Sequence, residues 1–438
     1  MKKRSEILFY TSIGAGMALG TSSFLMLSGL FEIVSGLWVA LSIILAGGFC
    51  MLIASSVGEL ASMYPSSPGI RTYLKHAFGN KTSLFLVHVY LIFIIIIAGV
   101  ESYLFGQVVN AIFPNVSTLL VVLVMLMLVI GINLMGLELP RWAQVLSAGI
   151  LISCILVFGI IGILNHSDSL EGALHLSAGI NNENLFLLPA ATAMAIFLFI
   201  GFEWVTPLGL RPESYRRIIP YCMLAAILIN VIAYASFVTG MASQLEVDAI
   251  VASSVPQIPY SIKLFGDIGI YFAGGLATLA IFSTFNAGIL GASRLIFTLT
   301  RERCLPKWCA KISYSTGAPI GAISLLGGLS ILSSIIVLSF KLELIAAVVG
   351  SSLICVIYSC FVLAVIALRR KVPDQKRDFR SKVPVIVKWI IIIMLPIMGL
   401  LSLVSLPEAK LQPLFAVVFI VLFALILTRY SYHLSQNK

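Results

Sequence analysis

Charge is what this chain has least of. Asp, Glu, Lys and Arg make up 11% of its 438 residues, whereas 60% are hydrophobic and the mean hydropathy is +1.07. Ordinary soluble domains carry roughly 25% charged residues, so the composition is that of an integral membrane protein. Cysteine is sparse as well. Cys50, Cys154, Cys222, Cys304, Cys309, Cys355 and Cys360 show no CxxC or Cys/His spacing, which argues against a metal centre and leaves reduced packing thiols. There is no GxxxxGK[ST] loop, so the chain carries no phosphate-binding signature of an ATP-driven pump. Long polar stretches are missing too. The longest, residues 165–184 and 243–267, are too short for a separate soluble domain, and the start "MKKRSE" does not resemble a cleavable signal peptide.

What is there is apolar sequence in lengths that cross a bilayer, about 20 residues each. Twelve candidate spans cover residues 7–32, 36–60, 83–112, 117–136, 142–164, 185–209, 218–242, 268–300, 318–339, 343–368, 384–405 and 411–430. Basic residues fix their orientation. Twenty-four of the 28 Lys and Arg fall on the N-terminus, the even-numbered connections and the C-terminal tail. Only Lys263, Lys341 and Lys410 fall on the odd connections. The positive-inside rule therefore places both termini in the cytoplasm of a multi-pass protein, with the cell membrane as its expected location. The net charge of +10 is spread over short inner segments, so it reads as topology and not as nucleic-acid binding.

Two spans contain breaks. The first reads "TSIGAGMALGTSSF", with Gly14, Gly16 and Gly20; the sixth reads "AIFLFIGFEWVTPLGLRPES", with Gly201, Glu203, Pro207 and Gly209. Lying five spans apart, they run in opposite senses across the membrane. Interrupted segments at corresponding positions of two halves point to a carrier with inverted repeats and a midplane site. The repeats are then residues 7–164 and 185–368, followed by two C-terminal helices in 384–430, all within one transport domain. Where a membrane helix unwinds, its backbone groups need new partners. Freed amides suit a carboxylate and freed carbonyls an ammonium, so an amino acid offers both charges at the right separation.

Several stretches together carry a family resemblance. "SIGAGMALG" (12–20), "GELASMYPSSPGIRTYLKHAFG" (58–79), "FLFIGFE" (197–203), "STFNAGILGASRLIFTLTRERCLPKW" (283–308), "SSLICVIYSCFVLAVIALRRK" (351–371) and "DFRSKVPVI" (378–386) resemble, in order, the signatures of the amino acid–polyamine–organocation permeases. The resemblance covers about residues 8–400 and implies an all-α LeuT-type fold: twelve transmembrane helices, two inverted five-helix repeats, spans 1 and 6 unwound, and two helices beyond. It implies a secondary transporter, not an enzyme. Such a carrier moves an amino acid by alternating access as a proton-coupled symporter or an exchanger. A polyamine or organocation carrier, or a transporter-like nutrient sensor, is the alternative.

Carried over by position, a substrate carboxylate meets the amides of Gly14, Ala15 and Gly16, and an amino group meets carbonyls near Ser12, Ile13, Phe197, Ile200 and Gly201. Phe197 holds the aromatic position that caps substrate in relatives. Met17 and Ala18 stand where the pattern G-[S/A]-G-I-F has isoleucine and phenylalanine, which leaves extra volume beside the site. A fifth-span lysine found in many relatives is missing, Leu151 taking its place. Ser283 and Thr284 hold the span-8 hydroxyl positions of a sodium site, with H+ the more expected coupling ion. Two carboxyls lie deep in spans, Glu203 in the sixth and Glu101 in the third. A charge there costs about 2.5–3.5 kcal/mol on insertion scales, so each is expected to face protein or a water-filled cavity. Both are candidates for gating or proton coupling, and Glu101 also for selecting a cationic group. No cofactor is expected; the partners are a small amino acid or amine and the lipid bilayer.

Overall fold

The computed structural model describes residues 2–64, 69–136, 140–165, 182–208, 212–406 and 411–436. Parts of the second and sixth inner segments and of the 165–184 connection thus lie outside the described residues. Among those described every regular element is helical, as the bilayer demands of a chain that must satisfy its own backbone groups.

The helices are α1 (Lys2–Ala18), α2 (Thr21–Ile33), α3 (Leu37–Met63), α4 (Gly69–Phe78), α5 (Asn80–Ile112), α6 (Thr118–Leu134), α7 (Arg141–Leu164) and α8 (Asn182–Ile196). They continue with α9 (Pro212–Gln244), α10 (Val247–Val251), α11 (Gln257–Phe265), α12 (Gly269–Arg301), α13 (Ile320–Phe340), α14 (Glu343–Lys371), α15 (Val385–Val404) and α16 (Gln412–Gln436). Among the described residues ten segments are long and apolar enough to cross a membrane, and α1 with α2 forms one more, bent by 52°. The remaining span of the twelve read from the sequence is α6, whose 17 residues fall short of the usual length. Hydropathy does not separate α4 from its loop, because the helix is amphipathic; it lies between α3 and α5 and packs on both α5 and α14.

The first helix threads between α7 and α9, and α9 packs against α3 and α7. α13, α14 and α16 all pack on the long α5, while α15 lies along α14 and α8. Lipid-facing side chains concentrate on the outer helices: Phe415, Phe419 and Ile426 of α16 are each about two thirds exposed.

One end of the bundle is tied by buried ion pairs. Glu59, which the sequence presents as an ordinary span-end residue, is fully buried there. It pairs with Arg369 at 2.6 Å and accepts the Ser381 amide at 2.9 Å, joining α3 to α14 and to the segment before α15. Arg71 of α4 is 1% exposed and bonds to Glu302 at 2.6 Å, and also to Asn80 and Ser83. Burial pushes the Glu302 carboxyl up, but the hydrogen bonds and charges of Arg71 and Lys75 outweigh it and hold the group below its ordinary range. The α4–α12 link therefore stays ionised at neutral pH.

Candidate substrate-binding site

Both interrupted helices open at the same depth in the bundle. α1 runs unbroken through Gly14 and Gly16 to Ala18, and the chain leaves helical geometry at Leu19 and Gly20. This corrects the expectation for the first span. The amides of Gly14, Ala15 and Gly16 lie inside a continuous helix, and neither they nor Ser12 and Ile13 line the cavity described below. The physical reason is packing. A Cβ on Gly14 would sit 3.2 Å from Ala226 and Val205, and one on Gly16 would sit 3.1 Å from Ala148, so these glycines let α1 approach its neighbours. Ala148 of α7 is the residue that faces Gly16, about one turn from Leu151; neither is a lysine.

The break falls six residues further on, at Gly20, where Thr21, Ser22 and Ser23 open the next helix. This stretch is the sequence signal that marks the opening, and the more conspicuous Gly14-Ala15-Gly16 obscures it. Ala18 is the last residue of α1.

The freed backbone groups at this break find partners in the chain itself. The Ala18 carbonyl accepts from Ser23 Oγ at 2.9 Å and from the Tyr234 hydroxyl at 2.5 Å, and the Ala15 carbonyl accepts from Asn230 Nδ2 at 3.3 Å. On the other side, Glu101 of α5 docks on the first turn of α2. Its carboxylate accepts from the Thr21 and Ser22 hydroxyls, and from the Ser22 amide at 3.2 Å. A carboxylate is the natural cap there, since the first amides of a helix are unsatisfied and carry partial positive charge.

The sixth span opens at Ile200 and Gly201. α8 passes into a 3-10 turn, Phe197–Phe199; Ile200 is extended with ψ 131°, Gly201 has φ 122°, and a second 3-10 stretch follows, Phe202–Leu208. Gly201 is therefore in a backbone region that a residue with Cβ rarely adopts. Glu203 is fully buried beside it. It accepts from the Tyr90 hydroxyl at 3.0 Å, the Tyr358 hydroxyl at 2.9 Å and the Gly201 amide at 3.2 Å. Each break is thus tied by its own glutamate, one supplied by α5 and the other by the break itself.

A cavity of ≈ 740 Å³, its open mouth included, lies between the two openings. Met17, Ala18 and Gly20 border it from the first span, Phe197, Ile200, Gly201 and Trp204 from the sixth, and Phe93, Ile97, Ala98 and Glu101 from α5. Thr284, Phe285 and Gly288 of α12 close the far side. Of the residues singled out from the sequence, Met17, Ala18, Phe197, Ile200, Gly201, Glu101 and Thr284 come together here. Ser283 instead lies behind the cavity, 3.4 Å from where a Cβ on Gly16 would be. Glu203, bonded to its two tyrosines, does not line the cavity. Thr284 Oγ1 is buried without a hydrogen-bond partner among the described residues. A mostly apolar chamber with a few convergent polar groups is the usual form of a small-molecule site.

Two helices broken around one chamber within a helical bundle are the architecture of the LeuT-type fold. The manganese transporter of Eremococcus coleocola has that architecture, with a TM-score of 0.59 at 12% identity over 98% of this chain and 95% of its own. Residues 7–426 match the family described as amino acid permease, and the chain belongs to that family. Among its relatives, L-asparagine permease 1 of Mycobacterium bovis is 26% identical over 332 residues, 72% of this chain and 66% of the relative. The aromatic amino acid transport protein AroP of Corynebacterium glutamicum is 26% identical over 70% of this chain and 66% of its own. The serine/threonine exchanger SteT of Bacillus subtilis is 24% identical over 86% of both. This chain thus matches about two thirds of the length of the first two.

Proposed function

We propose that this protein is a secondary active transporter that carries an amino acid or a closely related amine through the membrane by alternating access. The observation that carries this reading is the single chamber bordered by both breaks. Unwound backbone at membrane depth is tolerated only where protein or a cavity covers it, and here both breaks border the same chamber. Residues 7–164 and 185–368 form the two inverted repeats of this reading, which rock against each other around the chamber. The basic end of the bundle with both termini faces the cytoplasm, in keeping with the distribution of Lys and Arg.

Substrate contacts are assigned to Met17, Ala18, Phe197, Ile200, Gly201 and Glu101, all of which border the chamber. Coupling is assigned to a proton or to exchange against a second substrate, with Glu203 as the buried carboxyl nearest the sixth-span break. The open hydroxyl of Thr284 supports a polar ligand or cation at α12 and keeps sodium in the test.

Uptake into proteoliposomes of the purified full chain, against a panel of amino acids and amines, tests this directly. The expected result is saturable uptake of at least one compound, driven by an imposed pH gradient or by unlabelled substrate inside. Absence of uptake and exchange for the whole panel, by folded and correctly inserted protein, would contradict it. Binding without any transport would favour a sensor.

A further inference from the structure

The amide end of α2 is where a carrier of this design would be expected to hold a substrate carboxylate. In this protein the place is taken. Glu101 reaches it from α5 with three hydrogen bonds, and the chain is shaped around that carboxylate: a Cβ on Gly20 would run into Glu101 Oε1 and lie 2.8 Å from its carboxyl carbon. The Gly20 backbone thus approaches the docked carboxylate so closely that a side chain there would displace it. Glu101 is 3% exposed and borders the chamber.

A carboxylate has about four lone-pair directions. Oε2 is engaged by Thr21 Oγ1 and the Ser22 amide, whereas Oε1 takes a single donor, Ser22 Oγ. Oε1 thus keeps an acceptor direction with no donor among the described residues, on a side chain that borders the chamber. A substrate carboxylate brought to the same amides would face Glu101 within a few ångströms, and like charges repel strongly away from water. An ammonium would gain a charge-assisted hydrogen bond instead. Behind Glu101 the chamber is lined by Phe93, Ile97, Phe197, Trp204 and Phe285, which offer an apolar body no further ionic partner.

Resting on the carrier reading above, we propose that Glu101 stands in for the substrate's carboxylate. It thereby makes the chamber selective for a primary ammonium on an apolar body over the corresponding zwitterion. The preferred ligand class is an amine, or an amino acid whose carboxyl is removed or masked as an ester.

Calorimetric titration of the purified full chain in detergent tests this with named probes: phenethylamine, phenylalanine methyl ester, phenylalanine and 3-phenylpropionate, together with the isoamylamine–leucine pair. In the wild type at least one amine, and the ester where the body is phenyl, should bind about ten-fold or more tighter than its amino acid, and 3-phenylpropionate should not bind. Glu101→Gln keeps the shape and removes the charge; it should weaken the amine by about ten-fold and bring amine and amino acid level. Phenylalanine or leucine binding as tightly as its amine in the wild type overturns the proposal while keeping the carrier reading. So does a Glu101→Gln protein with the wild-type ranking. If that variant does not fold, the wild-type ranking alone decides between these outcomes. Binding by no amine or amino acid of the uptake panel removes the carrier reading, and the proposal with it.

Discussion

Replacing Gly201 by valine is expected to reduce uptake in proteoliposomes to background. With φ at 122°, Gly201 holds a conformation that costs a residue with a side chain about 1–3 kcal/mol, more for a β-branched one. Space makes the substitution worse. Its Cβ would lie 2.8 Å from Met17 Cβ and 3.2 Å from the Met17 carbonyl carbon, so the sixth-span opening would be pushed off the end of α1. Both walls of the chamber move together. Gly48→Val is the control, because a Cβ there meets no atom within 4 Å. Near-normal uptake by Gly201→Val at matched membrane levels would show that the observed opening is not needed for transport.

Glu203→Ala should be nearly as damaging. It leaves the Tyr90 and Tyr358 hydroxyls and the Gly201 amide without their acceptor. Each buried donor left unsatisfied costs about 1–3 kcal/mol, so a loss of about 100-fold in transport or a clear fall in melting temperature is expected. Glu203→Gln separates two roles. Its amide oxygen still accepts hydrogen bonds, so a glutamate that only ties the break together should be largely rescued by glutamine. A glutamate that carries the coupled proton should not: glutamine would abolish pH-driven uptake and leave exchange. Uptake and exchange, measured side by side in both variants, give the answer.

The sixth-span opening can be read from residues because its signals coincide: Gly201, a buried acid and Pro207 interrupt one apolar run. Sequence alone puts the first-span opening six residues early, and the reason is physical. Gly14, Gly16 and Gly20 are alike in sequence, yet the first two serve close helix packing and the third makes room for a carboxylate. What distinguishes them is Ala226, Val205, Ala148 and Glu101, all supplied by distant parts of the chain. Periodicity does not see such partners.

The same limit explains Glu59. Near a span end it looks like any interfacial acid; only the return of Arg369 and the Ser381 amide makes it the centre of a buried cluster. Glu101 stands out in the sequence because a carboxyl deep in an apolar helix needs a partner. That its partners are the hydroxyls and amide of α2, rather than the substrate alone, becomes visible only in the fold. Hydropathy locates the spans well, with α6 the shortest at 17 residues.

In the carrier proposed above, substrate occupies the chamber between the two openings and reaches it from both sides. Gly288→Cys, in a chain whose seven native cysteines are replaced, tests it most directly. Gly288 borders the chamber, and a Cβ there meets no atom within 4 Å, so the thiol projects into open space. An impermeant thiol reagent applied from either face of the membrane should label it, and the transported substrate should block labelling from both. Labelling that substrate leaves unchanged, in a variant that still transports, would place the substrate elsewhere.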